Sequence, residues 1–112
     1  MKKPTITYDD FAKLDIRIGE VKEVKPVEKS EKLLELTVDF GEDYGQVTIL
    51  SGIAKFYTPE ELTGKKFPFI ANLEPRKMMG KESNGMIMAA DVAEKALLIP
   101  VDESAPNGSV LR

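Results

Sequence analysis

Leu34-Glu35-Leu36-Thr37-Val38-Asp39, then Gly41-Glu42-Asp43-Tyr44-Gly45, then Gln46 to Leu50, then Thr58-Pro59-Glu60-Glu61: these four strings, in this order, decide the fold. The first alternates apolar with polar residues at a period of two, the pattern of a strand with one buried face. The second is turn chemistry with a glycine at each end, so the first and third strings form a hairpin across a five-residue loop. The fourth sets Thr at an N-cap, Pro at the first helical position and an acid three residues after the cap, which closes a capping box. A short helix starts there and stops near Gly64.

Upstream, Thr7-Tyr8-Asp9-Asp10 repeats the cap signal, and Phe11 and Leu14 give a short helix an apolar side with which to plug one end of the fold. From Asp15, Ile16 and Ile18 alternate against Arg17, but past Gly19 the apolar positions move to Val21 and Val24, which predicts a bulge or bend near Gly19. Downstream, Phe67 to Ala71 reads as a fourth strand and Gly85 to Ala90 as a fifth, with Met86 and Met88 as inward positions. An all-β chain of five short strands with a helix between the third and fourth has the order of a five-stranded OB-fold barrel with short helices. Other small barrels with an inserted helix share it.

A chain of 112 residues makes one domain. Residues 1–90 are expected to form the barrel with its N-terminal helical turn, and residues 91–112 a C-terminal extension of the same domain. Leu97, Leu98, Ile99 and Val101, then Val110 and Leu111, are apolar stretches of that extension that need covering. The extension either folds back over its own barrel or packs against the same segment of a second chain.

Composition excludes several function classes. Apolar residues make up 42% and charged residues 31%, no tract is long enough to span a bilayer, and Met1-Lys2-Lys3 opens no signal peptide; a cytoplasmic chain without a membrane partner is expected. Cys and His are both absent, which removes disulfides and the ligands that dominate transition-metal sites. No metal and no cofactor are expected. Ser51 sits next to Gly52 at a strand end, where a nucleophile is often placed, yet there is no His to activate it, and Ile49 and Ile53 occupy the glycine positions of a nucleophile elbow. The Glu42-Asp43 pair falls in a hairpin loop, where solvated charge is usual. The chain does not read as an enzyme.

The net charge of −3 hides an uneven distribution. Residues 1–54 carry eight basic and eleven acidic side chains, residues 55–81 six and three, and residues 82–112 two and five. The middle is a basic island, and local patches rather than averages bind phosphate. Its richest part is Asn72 to Met86, where Arg76, Lys77 and Lys81 can meet phosphates while Asn72, Ser83 and Asn84 can bond 2′-hydroxyls or base edges. Gly80 and Gly85 allow close backbone approach, and the flexible Met78 and Met79 can lie against bases or sugars. Ser51 is a lesser candidate. The competing reading makes the methionines ordinary core and the charges a solvated rim. Trp is absent and Phe67 and Phe69 look inward, leaving Tyr44 and Tyr57 as the exposed rings. So few stacking platforms favour a folded RNA recognised by shape and backbone.

Asp15-Ile16-Arg17-Ile18-Gly19, Lys32-Leu33, Val38-Asp39-Phe40-Gly41, Leu50-Ser51-Gly52-Ile53, Tyr57-Thr58-Pro59-Glu60-Glu61-Leu62 and above all Asn72 to Met86 resemble the tRNA-binding domain family, in the family's order, from about Phe11 to Ala90. Lys25-Pro26 and the spacing to Lys32-Leu33 depart from the His-Pro and Ala-Asp-Lys-Leu strings of that family. The resemblance implies structure-specific tRNA binding without chemistry, as a free-standing dimeric protein or as the beta subunit or C-terminal domain of a methionyl-tRNA synthetase. It also implies a homodimer joined largely through the segment after the barrel. A second resemblance, through Asp10-Phe11 and Asp15 to Gly19, is to an export-related chaperone family with the same barrel, which binds unfolded polypeptides.

Overall fold

The computed structural model describes residues 1–112. In chain order its elements are α1 (Tyr8–Ala12), β1 (Ile16–Pro26), β2 (Leu34–Asp39), β3 (Gln46–Ser51), α2 (Pro59–Leu62), β4 (Lys66–Ile70), β5 (Arg76–Met78), β6 (Lys81–Ser83), β7 (Met86–Ile87), β8 (Ala89–Val92) and β9 (Lys95–Leu98). Five of the strands form an antiparallel sheet in the order β3-β2-β1-β4-β7. The sheet curls until its two edges meet. There the Leu50 N–H donates to the Ser83 hydroxyl and the Asn84 N–H to the Thr48 carbonyl, each at 2.9 Å. The result is the nearly closed five-stranded barrel expected of an OB-type chain.

The alternation of β2 holds: Leu34, Leu36 and Val38 point into the core and the residues between them are half-buried. β1 behaves differently from the sequence expectation. Its irregularity lies at Lys22, between Val21 and Glu23, rather than at Gly19. Directly opposed residues of an antiparallel pair share a face. Gly19 and Val21 therefore line the interior with Phe67 and Phe69, and the bulge returns Val24 to that side. Ile16 and Ile18 are buried too, but on the outer face of the sheet with Pro68. Gly19 is needed for space, since a Cβ there would collide with Val38 and lie 2.8 Å from Phe40 Cε1.

The outer face is covered by the chain's own C-terminal segment. Lys66 Nζ donates to the carbonyls of Glu103 (3.1 Å) and Ala105 (2.8 Å). The Ile18 N–H then donates to Ser109 O, and the N–H groups of Gly108 and Leu111 donate to Ile18 O and Ile16 O, at 2.7–2.9 Å. Residues 103–111 thus pack on their own barrel, taking the first of the two coverings. The hairpin β8–β9 spans the expected boundary at residue 90 and leaves Val92, Leu97 and Ile99 exposed.

Two helix expectations separate. At α2 the capping box forms, with the Thr58 N–H donating to Glu61 Oε1 at 2.8 Å, and Leu62 enters the core as the plug. α1 is capped by Thr7 but buries no residue, so it does not plug the barrel. No helix is long and apolar enough to cross a membrane.

Candidate functional site

The loop expected between β4 and the closing strand contains a hairpin of its own. β5 and β6 pair Arg76 with Ser83, Lys77 with Glu82 and Met78 with Lys81. The two-residue tip, Met79-Gly80, has φ of 52° and 78°, the signature of a type I′ turn. Asn or Gly suits the first tip position; Met is held there at a cost of about 1 kcal/mol or more. Its side chain stands 52% exposed at the apex. Opposed residues share a face, so Arg76, Met78, Lys81 and Ser83 look toward the barrel, while Lys77 and Glu82 look outward. The strands are too short, and the tip too unlike Asn-Gly, for this hairpin to show in the sequence.

The eight candidate residues fall into two groups. Ser83 is 4% exposed and closes the barrel, accepting from the Leu50 N–H and donating to the Gly85 carbonyl at 3.2 Å. Asn84 joins the same seam through Thr48, and its Nδ2 also donates to the Thr48 carbonyl at 3.4 Å. Asn72 ties the start of β1 to the loop after β4, accepting from the Asp15 N–H at 2.9 Å and donating to the Lys13 carbonyl at 2.7 Å. Lys81 pairs with Glu35 of β2 at 2.9 Å, which anchors the β5–β6 hairpin to the sheet. All four have partners within the chain, and Asn72 and Lys81 are also exposed. Arg76 and Lys77 are exposed with no ion pair, Met79 is at the tip, and Ser51 is half-buried at the end of β3 opposite Leu34.

Arg76 and Ser51 meet in a cleft of about 560 Å³ between the end of β3, the hairpin β5–β6 and β7–β8. Its lining is mostly apolar, with Leu33, Leu73, Met78 and Met86 among the walls and Glu74 as the one carboxylate. Met86, expected to face inward, is instead 46% exposed, and Ile87 takes the interior position opposite Phe69. Gly85 and Ile87 take the inward positions, a Cβ at Gly85 lying 3.1 Å from the buried Ile49 side chain, and a two-residue strand carries too little alternation to reveal that phase.

The loop of residues 27–33 lies against this site. The Ala54 N–H donates to the Lys32 carbonyl at 2.9 Å, and Lys29 lines a small hollow with Met79 and Lys81. Lys29 and Lys32, both exposed and unpaired, therefore join Arg76 and Lys77 around the site. Sequence reasoning misses them because Glu28 and Glu31 cancel their charge locally. Lys25, by contrast, is held by Glu23 at 3.0 Å, and that hydrogen bond raises its pKa.

Of the two rings expected to be exposed, Tyr44 is exposed and Tyr57 half-buried, and both hydroxyls have partners. Tyr44 donates its hydroxyl to the Ala71 carbonyl at 2.8 Å with the Arg17 guanidinium 5.2 Å from its centroid, and the Tyr57 hydroxyl accepts from the Leu98 N–H. No cluster of three acidic, His or Cys side chains is placed to hold a metal ion.

Residues 16–110 match the family model described as "Putative tRNA binding domain". A methionine-tRNA ligase of Methanosarcina mazei is 51% identical over 97% of this chain, which spans only 15% of that enzyme's length. The crystal structure of a MetRS-related protein from Pyrococcus horikoshii superposes with a TM-score of 0.92 at 40% identity, covering 98% of this chain and all of the other. That of the chaperone CsaA from Bacillus anthracis does so with a TM-score of 0.85 at 27% identity, covering 97% of this chain and all of the other.

Proposed function

The chain belongs to the tRNA-binding domain family, and from that premise we propose that it binds folded tRNA in the cytoplasm, by structure more than by sequence, as an appended or stand-alone module assisting a methionyl-tRNA synthetase without catalysing a reaction. The observation that carries this reading is the pair of unpaired cations, Arg76 and Lys77, on a hairpin braced by Ser83, Asn84 and Lys81 beside an apolar cleft. Arg76 addresses the cleft and Lys77 the solvent, so one RNA can be held on both sides of the hairpin. Lys29 and Lys32 extend the positive surface across the neighbouring loop. Met79 at the apex offers apolar contact to a sugar or base, and Ser51 a hydroxyl in the cleft. A homodimer belongs to the same reading: Val92, Leu97 and Ile99 on or beside β8–β9 lie exposed, and pairing two chains there would present two such surfaces to one RNA.

The test is filter binding with total tRNA over a salt series. With about three to six phosphates neutralised, log K against log salt falls with a slope of roughly −2 to −5. A flat response, or equal binding to an unstructured RNA of the same length, refutes the proposal. A second reading, capture of unfolded polypeptide, is favoured by the apolar lining of the cleft and the likeness to a chaperone structure. A denatured protein that binds tightly while tRNA does not would establish it instead.

A further inference from the structure

We propose that the cleft beside β5 takes one unpaired guanine base of the bound RNA, read along its edge by the Glu74 carboxylate and the Arg76 guanidinium; this rests on the tRNA-binding reading and gives that surface its one point of base recognition. The cleft's volume, about 560 Å³, is in the range of sites that engulf a small ligand rather than cradle a backbone. Its walls are apolar and its polar side chains few. Ser83 has both its hydrogen bonds committed to the barrel seam, which leaves Ser51, Glu74 and Arg76 free to meet a ligand.

The chemistry of those groups narrows the ligand. A carboxylate only accepts and a guanidinium only donates, and Glu74 and Arg76 form no ion pair with each other or with any other residue. An occupant that meets both groups presents donors to Glu74 and acceptors to Arg76. A phosphate fits Arg76 but is repelled by Glu74. Among the four bases only guanine offers two parallel N–H donors, N1–H and N2–H, to a carboxylate while keeping O6 and N7 as acceptors for an arginine. Its flat faces suit the walls, where Met78 and Met86 put thioethers at the cleft and no aromatic ring lines it. Leu73 and Met86, both large and exposed, would be covered by the same event. The base must be unpaired to enter, which places it in a loop of a folded RNA. Reading one base in a loop that many tRNAs share leaves little preference among them.

The sign of one substitution separates this from plain electrostatics. If Glu74 is only a solvated charge near phosphates, Glu74→Gln removes repulsion and strengthens tRNA binding. If it reads guanine, Glu74→Gln turns one acceptor into a donor facing N–H groups and weakens tRNA binding by about tenfold. The experiment measures tRNA affinity of the parent and of Glu74→Gln at one salt concentration, with GMP, AMP, CMP and UMP as competitors. The proposal requires both the loss and a GMP advantage of about tenfold in the parent that vanishes in the variant. Normal tRNA binding by the parent with an unchanged or strengthened variant, or with no GMP preference, overturns the guanine site and leaves the RNA reading standing. Displacement of tRNA by an unfolded polypeptide but not by GMP makes the cleft a peptide site and overturns it as well. Failure of the parent to bind tRNA at all removes both.

Discussion

Ser83→Ala tests whether the polar residues of the basic segment hold RNA or hold the barrel. The hydroxyl is buried and sits where β3 meets the end of β6, accepting from the Leu50 N–H at 2.9 Å and donating to the Gly85 carbonyl at 3.2 Å. Alanine leaves the Leu50 N–H without an acceptor inside the seam, which costs about 1–3 kcal/mol, and removes a second hydrogen bond worth about 0.5–1 kcal/mol. The side chain loses one atom, so the cavity term is small. A total of about 1.5–4 kcal/mol is a large share of the roughly 5–15 kcal/mol that a domain of this kind has. With a urea m value of about 2 kcal/mol/M, the midpoint followed by circular dichroism falls by roughly 1–2 M. Below the transition, tRNA binding weakens no more than a few-fold and its salt slope is unchanged, because no cation has been lost. A midpoint that stays in place while tRNA affinity collapses would refute the reasoning, and would make Ser83 a contact residue.

Arg76→Ala and Lys77→Ala give the opposite pattern: each weakens tRNA binding by a few-fold to tenfold while urea midpoints stay put, and Lys77→Ala, at the position facing solvent and phosphate, also reduces the salt slope by about 0.7–0.9. Filter binding and urea melts on the same preparations check both halves. At the β8–β9 tip, Ala93 and Glu94 have φ of 50° and 67°, so Glu94→Gly relieves a left-handed residue and raises stability by about 0.5–1 kcal/mol in the same melts. The Glu20 carboxylate accepts from Asn107 Nδ2 at 3.0 Å, and that hydrogen bond, ahead of the Lys22 bond and charge, holds its pKa below the ordinary 4.5. A depressed folded-state pKa contributes stability that is complete above 4.5 and lost as pH falls through the folded value, so Asn107→Ala flattens the acid limb of stability against pH. Leu97→Glu on the exposed face of β9 turns a dimer into a monomer by sedimentation velocity; a parent already monomeric at tens of micromolar defeats the dimer proposal.

Side-chain pattern is the part of this fold that is legible in the sequence. Period-two alternation places Leu34, Leu36 and Val38, and capping chemistry places the start of α2 at Pro59, because both act through a few adjacent side chains. Features set by the backbone stay hidden. The C-terminal segment is held to β1 by main-chain bonds from Gly108 and Leu111, which ask for no particular side chain, and β7 is two residues long, too short for alternation to fix its phase. The bulge at Lys22 leaves a trace, the shift from Val21 to Val24, but the trace does not say which side of the break is interior, and the alternation of Ile16 and Ile18 belongs to the outer face.

The candidate site divides along the same line. Ser, Asn and Lys in a basic, glycine-containing segment have the same formula whether they bond a ribose or a carbonyl, and only burial separates the uses. A barrel whose last strand is two residues long cannot close through ladder bonds alone, so the seam recruits side chains, and the nearest polar ones are Ser83 and Asn84. Asn72 and Lys81 brace the two ends of the same segment, against α1–β1 and against β2. Their recruitment has a functional consequence. With the hairpin fixed at four points, Arg76 and Lys77 sit on opposite faces of a rigid ribbon, and a mobile loop carrying the same two cations would have to order itself on binding, at about 1–2 kcal/mol of backbone entropy for each residue fixed. On the proposed RNA-binding reading, Ser83, Asn84, Asn72 and Lys81 hold Arg76 and Lys77 in place beside Lys29 and Lys32, so that these cations meet a backbone without that ordering cost.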